Sequence, residues 1–384
     1  MIFQLILNAF LVISADPTFT VENKLDFRRK EVVSISMTQL EEMLDDKFDT
    51  STLQIKETKS NLTVLTQWVD SDQDGHFDEL LFLAEVKGNE TKSYTLTSNA
   101  EPASSDISTF GRFVPERIDD FAWENDKVAF RTYGPEAQRL TDEKLPGGTL
   151  TSGIDAWLKR VDYPIIDKWY KKYLDGGSYH NDSGEGYDPY HVGDSRGIGG
   201  IGVLIEDSLY VSKNFTTYKL IANGPLRTIF ELSYAPWKAG EATIQETKRI
   251  SLDLGSQLYH MEVKLKSDKS LPNVTTGITL HSGNGEVSSD SEAGWISYWE
   301  TIDDAKLGTG IVASNTDIDR LFEFRTESKE QSHLYMVLKP KEKISFYAGF
   351  GWEKANEFSS LSDWNKYLMN FSKTLESPFI LKLD

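Results

Sequence analysis

The sequence predicts a mainly β protein: a large antiparallel β-sandwich of the supersandwich type with a few short helices. Three observations carry this reading. After Asp16 the chain is mostly short alternating runs broken by polar turns. The cleanest run, Leu258 to Lys266, sets Tyr259, Met261, Val263 and Leu265 against His260, Glu262, Lys264 and Lys266, so one face buries and the other is wet. The 384 residues are 39% apolar and 12% aromatic, which supplies a sizeable core.

The N-terminus carries an apolar run, Ile2 to Ile13, followed by Ser14-Ala15. That is the layout of a signal-peptide core and a small-residue cleavage site, although Lys and Arg are missing ahead of it. Residues 1–15 are therefore expected to be a signal peptide, with a buried first strand as the alternative. Residues 16–384 are read as one catalytic sandwich domain, with a small N-terminal β subregion over 16–100. The expected location is secreted or periplasmic. No run reaches the ~20 residues that span a bilayer.

Asn23 to Ile35 reads as a strand, a basic turn and a second strand; Met37 to Asp46 as a brief helix; Leu62 to Thr66, Glu79 to Leu83 and Thr91 to Leu96 as strands. Asp70, Asp72, Asp74, Gly75 and Asp78 match the front half of a calcium loop. Alternate oxygen ligands and a glycine at the sixth position let the backbone fold around a hard cation. Leu81 stands where a bidentate glutamate belongs, and a hairpin turn with Asx hydrogen bonds is the plainer reading. Calcium is the one cofactor the sequence suggests, as a structural ion; none is required.

Pro102 to Ile107 is a polar connector, and Arg112 to Leu140 follows. There Arg112, Arg117, Arg131 and Arg139 mingle with Trp123 and Tyr133, and Arg131 sits in an apparent strand, Val128 to Thr132. Arginine's planar fork suits a carboxylate or sulfate. Each arginine has the alternative of an ion pair with one of the many acids. Leu145 to Ser152 is a loop, and Asp155 to Leu174 has helical spacing interrupted by Pro164.

Tyr163 to Gly200 is the centre of the reading. It leaves its helix for a loop rich in Gly, Asp, Tyr and His, with His180 and His191 eleven residues apart. Tyr179, Asp182, Glu185, Tyr187, Asp188, Tyr190, Asp194 and Arg196 surround them. Long structureless loops in compact domains are functional or disordered, and disordered segments lack aromatics. The loop is expected to be ordered and to carry acid–base groups. Its closing glycines lack the spacing and context of a dinucleotide fingerprint. Thr228 to Tyr234, Trp295 to Glu300, His333 to Tyr335 and Ser345 to Gly351 read as strands, a further strand ends at His281, and Asp363 to Leu375 as a helix capped by Asp363.

The formal charge of −19 argues against nucleic acid. An anionic small substrate remains open, because exposed charges beyond about 8 Å are screened. With no cysteine, disulfides and thiolate chemistry are excluded. Ser183-Gly184 supplies no nucleophile elbow, and the two loop histidines match no standard metal spacing. Aromatic surfaces, clustered arginines and a His/Tyr loop suit chemistry on an acidic sugar. Elimination beside a uronate needs a base for the proton alpha to the carboxylate, a cation for the enolate-like intermediate, and an acid for the leaving oxygen.

The segments VENKLDFRRKEVV, DSDQDGHFDELLF, VPERIDDFAWENDKVAFRTYGP, YPIIDKWYKKY…YHNDSGEGYDPYHVGDSRGIGG, NGPLRTIFELSY and FYAGFGWEK together resemble a family of secreted bacterial proteins. That family was long catalogued only as a domain of unknown function, and it includes a dehydratase acting on ulvan oligosaccharides. The resemblance runs from about Phe19 to Tyr367. It implies removal of water from a non-reducing-end uronic acid to give a 4,5-unsaturated sugar, alongside glycosidases, lyases and sulfatases. Within that chemistry His180 is the expected base, Tyr187 or His191 the acid, and Arg131 and Arg196 the groups that neutralise the carboxylate. Trp123, Arg117, Tyr133 and Tyr190 are the expected substrate contacts. A polysaccharide lyase and a non-catalytic carbohydrate-binding protein are the rivals.

Overall fold

The computed structural model describes residues 16–44 and 48–383, so the expected signal segment 1–15 lies outside the described residues. The protein is mainly β, as its alternating runs require. A large antiparallel sheet runs in the order Phe215–Asn223, Arg227–Tyr234, Ala242–Asp253, Leu258–Ser267, Lys343–Trp352, Ala305–Val312, Trp295–Ile302, Glu286–Asp290. Its inner face supplies Phe230, Leu232, Ile250, Met261, Val263 and Phe346 to one core, shared with the sheets that face it. One facing sheet holds Ile198–Ile205, Val274–Thr279, His333–Leu338 and Ile318–Phe324. Another holds Gly186–Tyr187, Asp155–Lys159, Ala129–Thr132, Asp120–Glu124 and Phe110–Val114.

The first strands build two smaller sheets around a separate core of Phe19, Val21, Ile35, Phe82 and Leu96. The C-terminal strand Ile380–Leu383 returns to pair with Thr18–Glu22. That pairing joins chain ends that no local sequence signal links. The first strand among the described residues is Thr18–Glu22, not the start of Asn23 to Ile35, and the strand expected at Leu62 to Thr66 lies at Thr66–Val69. Met37–Leu44 is helical as read; Asp45 and Asp46 lie outside the described residues.

Asp155 to Leu174 is the largest departure. Only Ile166–Leu174 is a helix, and Asp155–Lys159 is a strand. That strand is buried on both faces, so it lacks the alternation that marks a half-wet strand. Its apolar residues then mimic helical spacing.

The C-terminal helix Leu361–Glu376 packs on the outer face of the large sheet. Gly308 and Gly310 let it come close, since a Cβ at Gly308 would sit 2.7 Å from the Trp364 ring. Trp364 Nε1 donates to the Thr309 carbonyl at 3.1 Å. The cap is Ser360, whose hydroxyl accepts from the Asp363 N–H at 3.2 Å. Asp363 is the reciprocal partner three residues on. No helix among the described residues is long and apolar enough to cross a membrane.

Candidate active site

The loop after the helix Ile166–Leu174 is tied into the sheet at Gly186–Tyr187 and Ile198. Gly197 has φ +57, and a Cβ there would meet the Ile154 carbonyl at 1.9 Å. Only glycine allows this close approach. The loop is thereby pressed against Asp155–Lys159 and the strands beside it.

Beneath it lies a buried charge cluster. Arg131 is 5% exposed. Its Nε donates to Asp155 Oδ2 at 2.6 Å, its Nη2 to Asp188 Oδ2 at 2.8 Å, and its Nη1 to the Tyr179 hydroxyl at 3.0 Å. Asp120 Oδ2 is 3.6 Å from the same guanidinium. Tyr133 donates to Asp155 at 3.0 Å, and Tyr170 to Asp120 at 3.0 Å. Three carboxylates thus face one guanidinium. Burial, with Asp155 close by, pushes the Asp188 carboxyl well above the usual range, so the cluster favours holding a proton.

Burial also pushes Asp120 up to about 6, against the pull of Arg131 and Arg117. A carboxyl raised in the folded state stabilises it fully below the unfolded value near 3.8. That contribution is lost as pH rises through about 6. Asp120→Asn lacks the loss, so its stability relative to wild type should rise between about pH 4 and pH 7. The roughly two-unit shift makes this ~3 kcal/mol. Urea unfolding of both proteins across that range checks it; parallel curves would refute it.

His180 stands on this cluster. Its Nδ1 lies 2.8 Å from the Asp188 carbonyl oxygen and 3.5 Å from Asp188 Oδ2. A carbonyl only accepts, so Nδ1 carries the hydrogen. In the neutral ring Nε2 is then the bare nitrogen, on a side chain 56% exposed. Arg117 meets the same Tyr179 hydroxyl as Arg131. Its Nε donates to the Tyr179 hydroxyl at 3.2 Å and its guanidinium is 5.6 Å from the Tyr173 ring. Neither Nη group of Arg117 has a hydrogen-bond partner among the described residues.

The second half of the loop leans on other strands. His191 Nε2 is 2.6 Å from Glu330 Oε1, and the His191 side chain is 70% exposed. His281 places Nδ1 2.7 Å from Glu300 Oε1 and Nε2 2.9 Å from the His191 carbonyl. Both partners are acceptors, so both ring nitrogens donate and the ring is an imidazolium. Burial opposes that charge, but the Glu300 hydrogen bond raises the pKa. The φ of His281 is +42, strain of the kind held at functional sites. Tyr190 meets the His281 ring edge-on at 4.5 Å.

Several sequence expectations change here. Trp123 is fully buried against Phe130, Phe230 and Tyr259, with no face for a sugar. Arg131 is saturated by acids and has no open face for a substrate carboxylate. Tyr133 and Tyr190 are buried at 5% and 4% exposure; Tyr133 serves the cluster through Asp155, and Tyr190 packs on the His281 ring. Tyr187 is buried and donates to Asp303 Oδ2 at 2.8 Å. Arg196 bonds Ser152 and Thr151 and shares no hydrogen-bond partner with His180. Arg117 and His180 keep open polar atoms. Sequence reasoning missed Asp120, Asp155, Glu300 and Glu330, none of which has a local motif.

The aspartates of the calcium-like segment form a hairpin turn between Thr66–Val69 and Glu79–Val86. Asp70 accepts from the N–H groups of Gln73 and Gly75 at 2.7 and 2.9 Å. Ligand oxygens of Asp70, Asp72 and Asp78 lie within 4.8 Å of one another. Asp74 is outside that group and accepts from the His76 N–H at 2.8 Å. Leu81, at the twelfth position, is buried in a strand.

The fold and loop define a class: a β-sandwich protein with a buried acid–arginine cluster beneath an open histidine. The chain belongs to the family described as "Domain of unknown function (DUF4861)", matched over residues 21–380. It is 45% identical over 371 residues to "Uncharacterized protein P7" of Formosa agariphila, covering 95% of this chain and 93% of that protein. In fold it is similar to a protein in the glycosyl hydrolase family 38 from Enterococcus faecalis, with a TM-score of 0.52 and 9% identity over 96% of this chain. An alpha-mannosidase from Enterococcus faecalis V583 gives a TM-score of 0.48 and 8% identity over 96% of this chain. This chain spans about half of each of those two chains, 47% and 46%.

Proposed function

We propose that the protein is a carbohydrate-active dehydratase that removes water from a non-reducing-end uronic acid of an oligosaccharide. One observation carries the reading: His180 has Nδ1 anchored to Asp188 and Nε2 open, with the unsaturated fork of Arg117 across Tyr179. His180 Nε2 takes the C5 proton, alpha to the carboxylate. Arg117 binds the carboxylate and stabilises the enolate-like charge. This role passes to Arg117 because Arg131 is occupied; Arg131 holds Asp188, and so the base, in place. The C4 hydroxyl leaves as water, protonated by His191, whose Glu330 partner supports the charged ring. The C5–H electron pair becomes the C4=C5 double bond. The resemblance to a family with an ulvan-oligosaccharide dehydratase, and a fold shared with a glycoside-hydrolase-family protein, support this reading. A secreted or periplasmic place beside glycosidases, lyases and sulfatases would fit it.

The test is ultraviolet absorbance with mass spectrometry on a panel of uronic-acid oligosaccharides. A new chromophore with loss of one water and an unchanged chain is expected. A chromophore with shorter products would mean a polysaccharide lyase. No product, with binding intact, would mean a carbohydrate-binding protein.

Calcium at Asp70, Asp72 and Asp78 is proposed as a structural ion. Calcium added to chelator-treated protein is expected to raise the melting temperature, and not to do so in Asp70→Ala. Equal melting with and without calcium would remove it from the account.

A further inference from the structure

A cleft of about 1060 Å³, which His180 does not line, lies between the Glu206–Lys213 segment and the strand Ile318–Phe324. Its floor holds Arg196, Ser212, His333 and Tyr335. All four are buried, with exposures of 2–4%. Unlike Arg131, Arg196 is hydrogen-bonded, among the described residues, only to neutral acceptors: Ser152 Oγ at 3.1 Å, Thr151 Oγ1 at 3.2 Å and the Asp194 carbonyl at 3.1 Å. Those bonds engage three of the five N–H groups a guanidinium carries. A buried cation without a bonded carboxylate is costly unless something compensates it.

The neighbouring hydroxyls point to the same conclusion. The Arg196 backbone N–H donates to His333 Nε2 at 3.1 Å. That nitrogen therefore accepts, and the His333 proton sits on Nδ1. Burial and the nearby Arg196 keep the ring neutral, pushing its pKa down to about 3. Nδ1–H then donates to the Tyr335 hydroxyl at 3.1 Å, so the tyrosine's own proton is free for another acceptor. Ser212 Oγ is buried with no hydrogen-bond partner among the described residues. The Tyr335 ring is fixed over Gly277, where a Cβ would sit 2.8 Å from it. Phe322 lies 5.4 Å from the Tyr335 ring, and Arg320 sits over Phe322 at 5.3 Å with no ion pair among the described residues. Glu206, Asp207 and Glu327 are exposed on the rim. Asp194 also lines the cleft, and its carboxylate is 3.3 Å from Gln331 Nε2. The floor thus presents three donors, from Arg196, Tyr335 and Ser212, although the Ser212 hydroxyl can also accept.

We propose that this cleft is a second, oxyanion-binding subsite, in which Arg196, Tyr335 and Ser212 hold a carboxylate or sulfate group and Phe322 supports the ring that bears it. The oxyanion follows from the cleft alone; that a saccharide carries it rests on the proposed function. The subsite gives Arg196 a task separate from the chemistry at His180, as an anchor for a charged unit away from the reacting one.

Calorimetric titration of Arg117→Ala/His180→Ala protein separates the two sites, because it has lost the proposed reaction centre. The probes are sodium glucuronate, sodium sulfate and neutral glucose at matched ionic strength. Saturable binding of at least one anion, and none of glucose, is expected. Tyr335→Phe and Ser212→Ala should each weaken it ~2–10-fold, the range of one neutral hydrogen bond. Sulfate alone binding would assign a sulfate ester, and glucuronate alone a uronate; either supports the subsite. Absence of anion binding in this background, or equal affinity in both hydroxyl variants, would overturn it. Neither result bears on dehydration by the wild-type protein, so failure here and failure of the proposed function are distinguishable.

Discussion

His180→Ala is expected to lower the dehydration kcat by ~10²–10⁴-fold, the range of a positioned general base. Its geometry favours a catalytic role over a structural one. The ring is 56% exposed, so packing loses little when it is removed, and exposed substitutions usually stay within about 0.5 kcal/mol. Chemical denaturation should therefore give near-wild-type stability, while product formation, followed in the ultraviolet, collapses. His180→Gln is a second check, since its amide can still reach the Asp188 carbonyl but offers no basic nitrogen. It should be as inactive as alanine. Full turnover by either variant on a substrate the wild type dehydrates would sink the base assignment. Arg117→Ala belongs beside them: it should raise KM as well as lower kcat, because a carboxylate is bound in the ground state too.

The contrast between Arg117 and Arg131 shows where the sequence stopped being legible. Both stand among aromatics, but the sequence assigns the substrate carboxylate to Arg131 and only a substrate contact to Arg117. What separates them is distant in sequence. Asp155 comes from the adjacent strand, in register with Arg131; Asp120 comes from the strand on the other side; Asp188 comes from the loop. Strand pairing, not local pattern, decides which guanidinium is saturated. The same limit hid the strand Asp155–Lys159, buried on both faces, and the return of Ile380–Leu383 to the first strand. Half-wet strands such as Leu258–Ser267 announced themselves, because water on one face imposes a period of two. The loop was visible through its His and Tyr content, but its division was not. His180 leans on the Arg131 cluster, and His191 on Glu330, 139 residues away.

Arg131→Met carries the largest expected cost in stability. The guanidinium lies at hydrogen-bonding distance from two buried carboxylates and 3.6 Å from a third, all at 0–3% exposure. Methionine keeps the apolar stem and removes the one cation that, among the described residues, contacts all three. Breaking a buried ion pair by deleting one partner costs about 3–5 kcal/mol, because the remaining charge stays desolvated. Denaturant midpoints at neutral pH should show a loss of that size. Arg131→Lys should fall between, since an ammonium keeps the charge but not the planar fork that spans Asp155 and Asp188. Acid partly relieves the defect: Asp120, freed of the pull of Arg131, takes up its proton at a higher pH in the variant than in wild type, so the gap between Arg131→Met and wild type should narrow as pH falls toward about 6. Adding Asp155→Asn to Arg131→Met should recover part of the loss, as expected for neighbours with a shared network. The same substitution reaches the chemistry through position alone. Asp188 is held by Arg131 and in turn holds His180, so folded Arg131→Met should lose kcat with the base still present. A variant within about 1 kcal/mol of wild type at neutral pH, and fully active, would mean that the three acids are already neutral and that the cluster is not what orients His180.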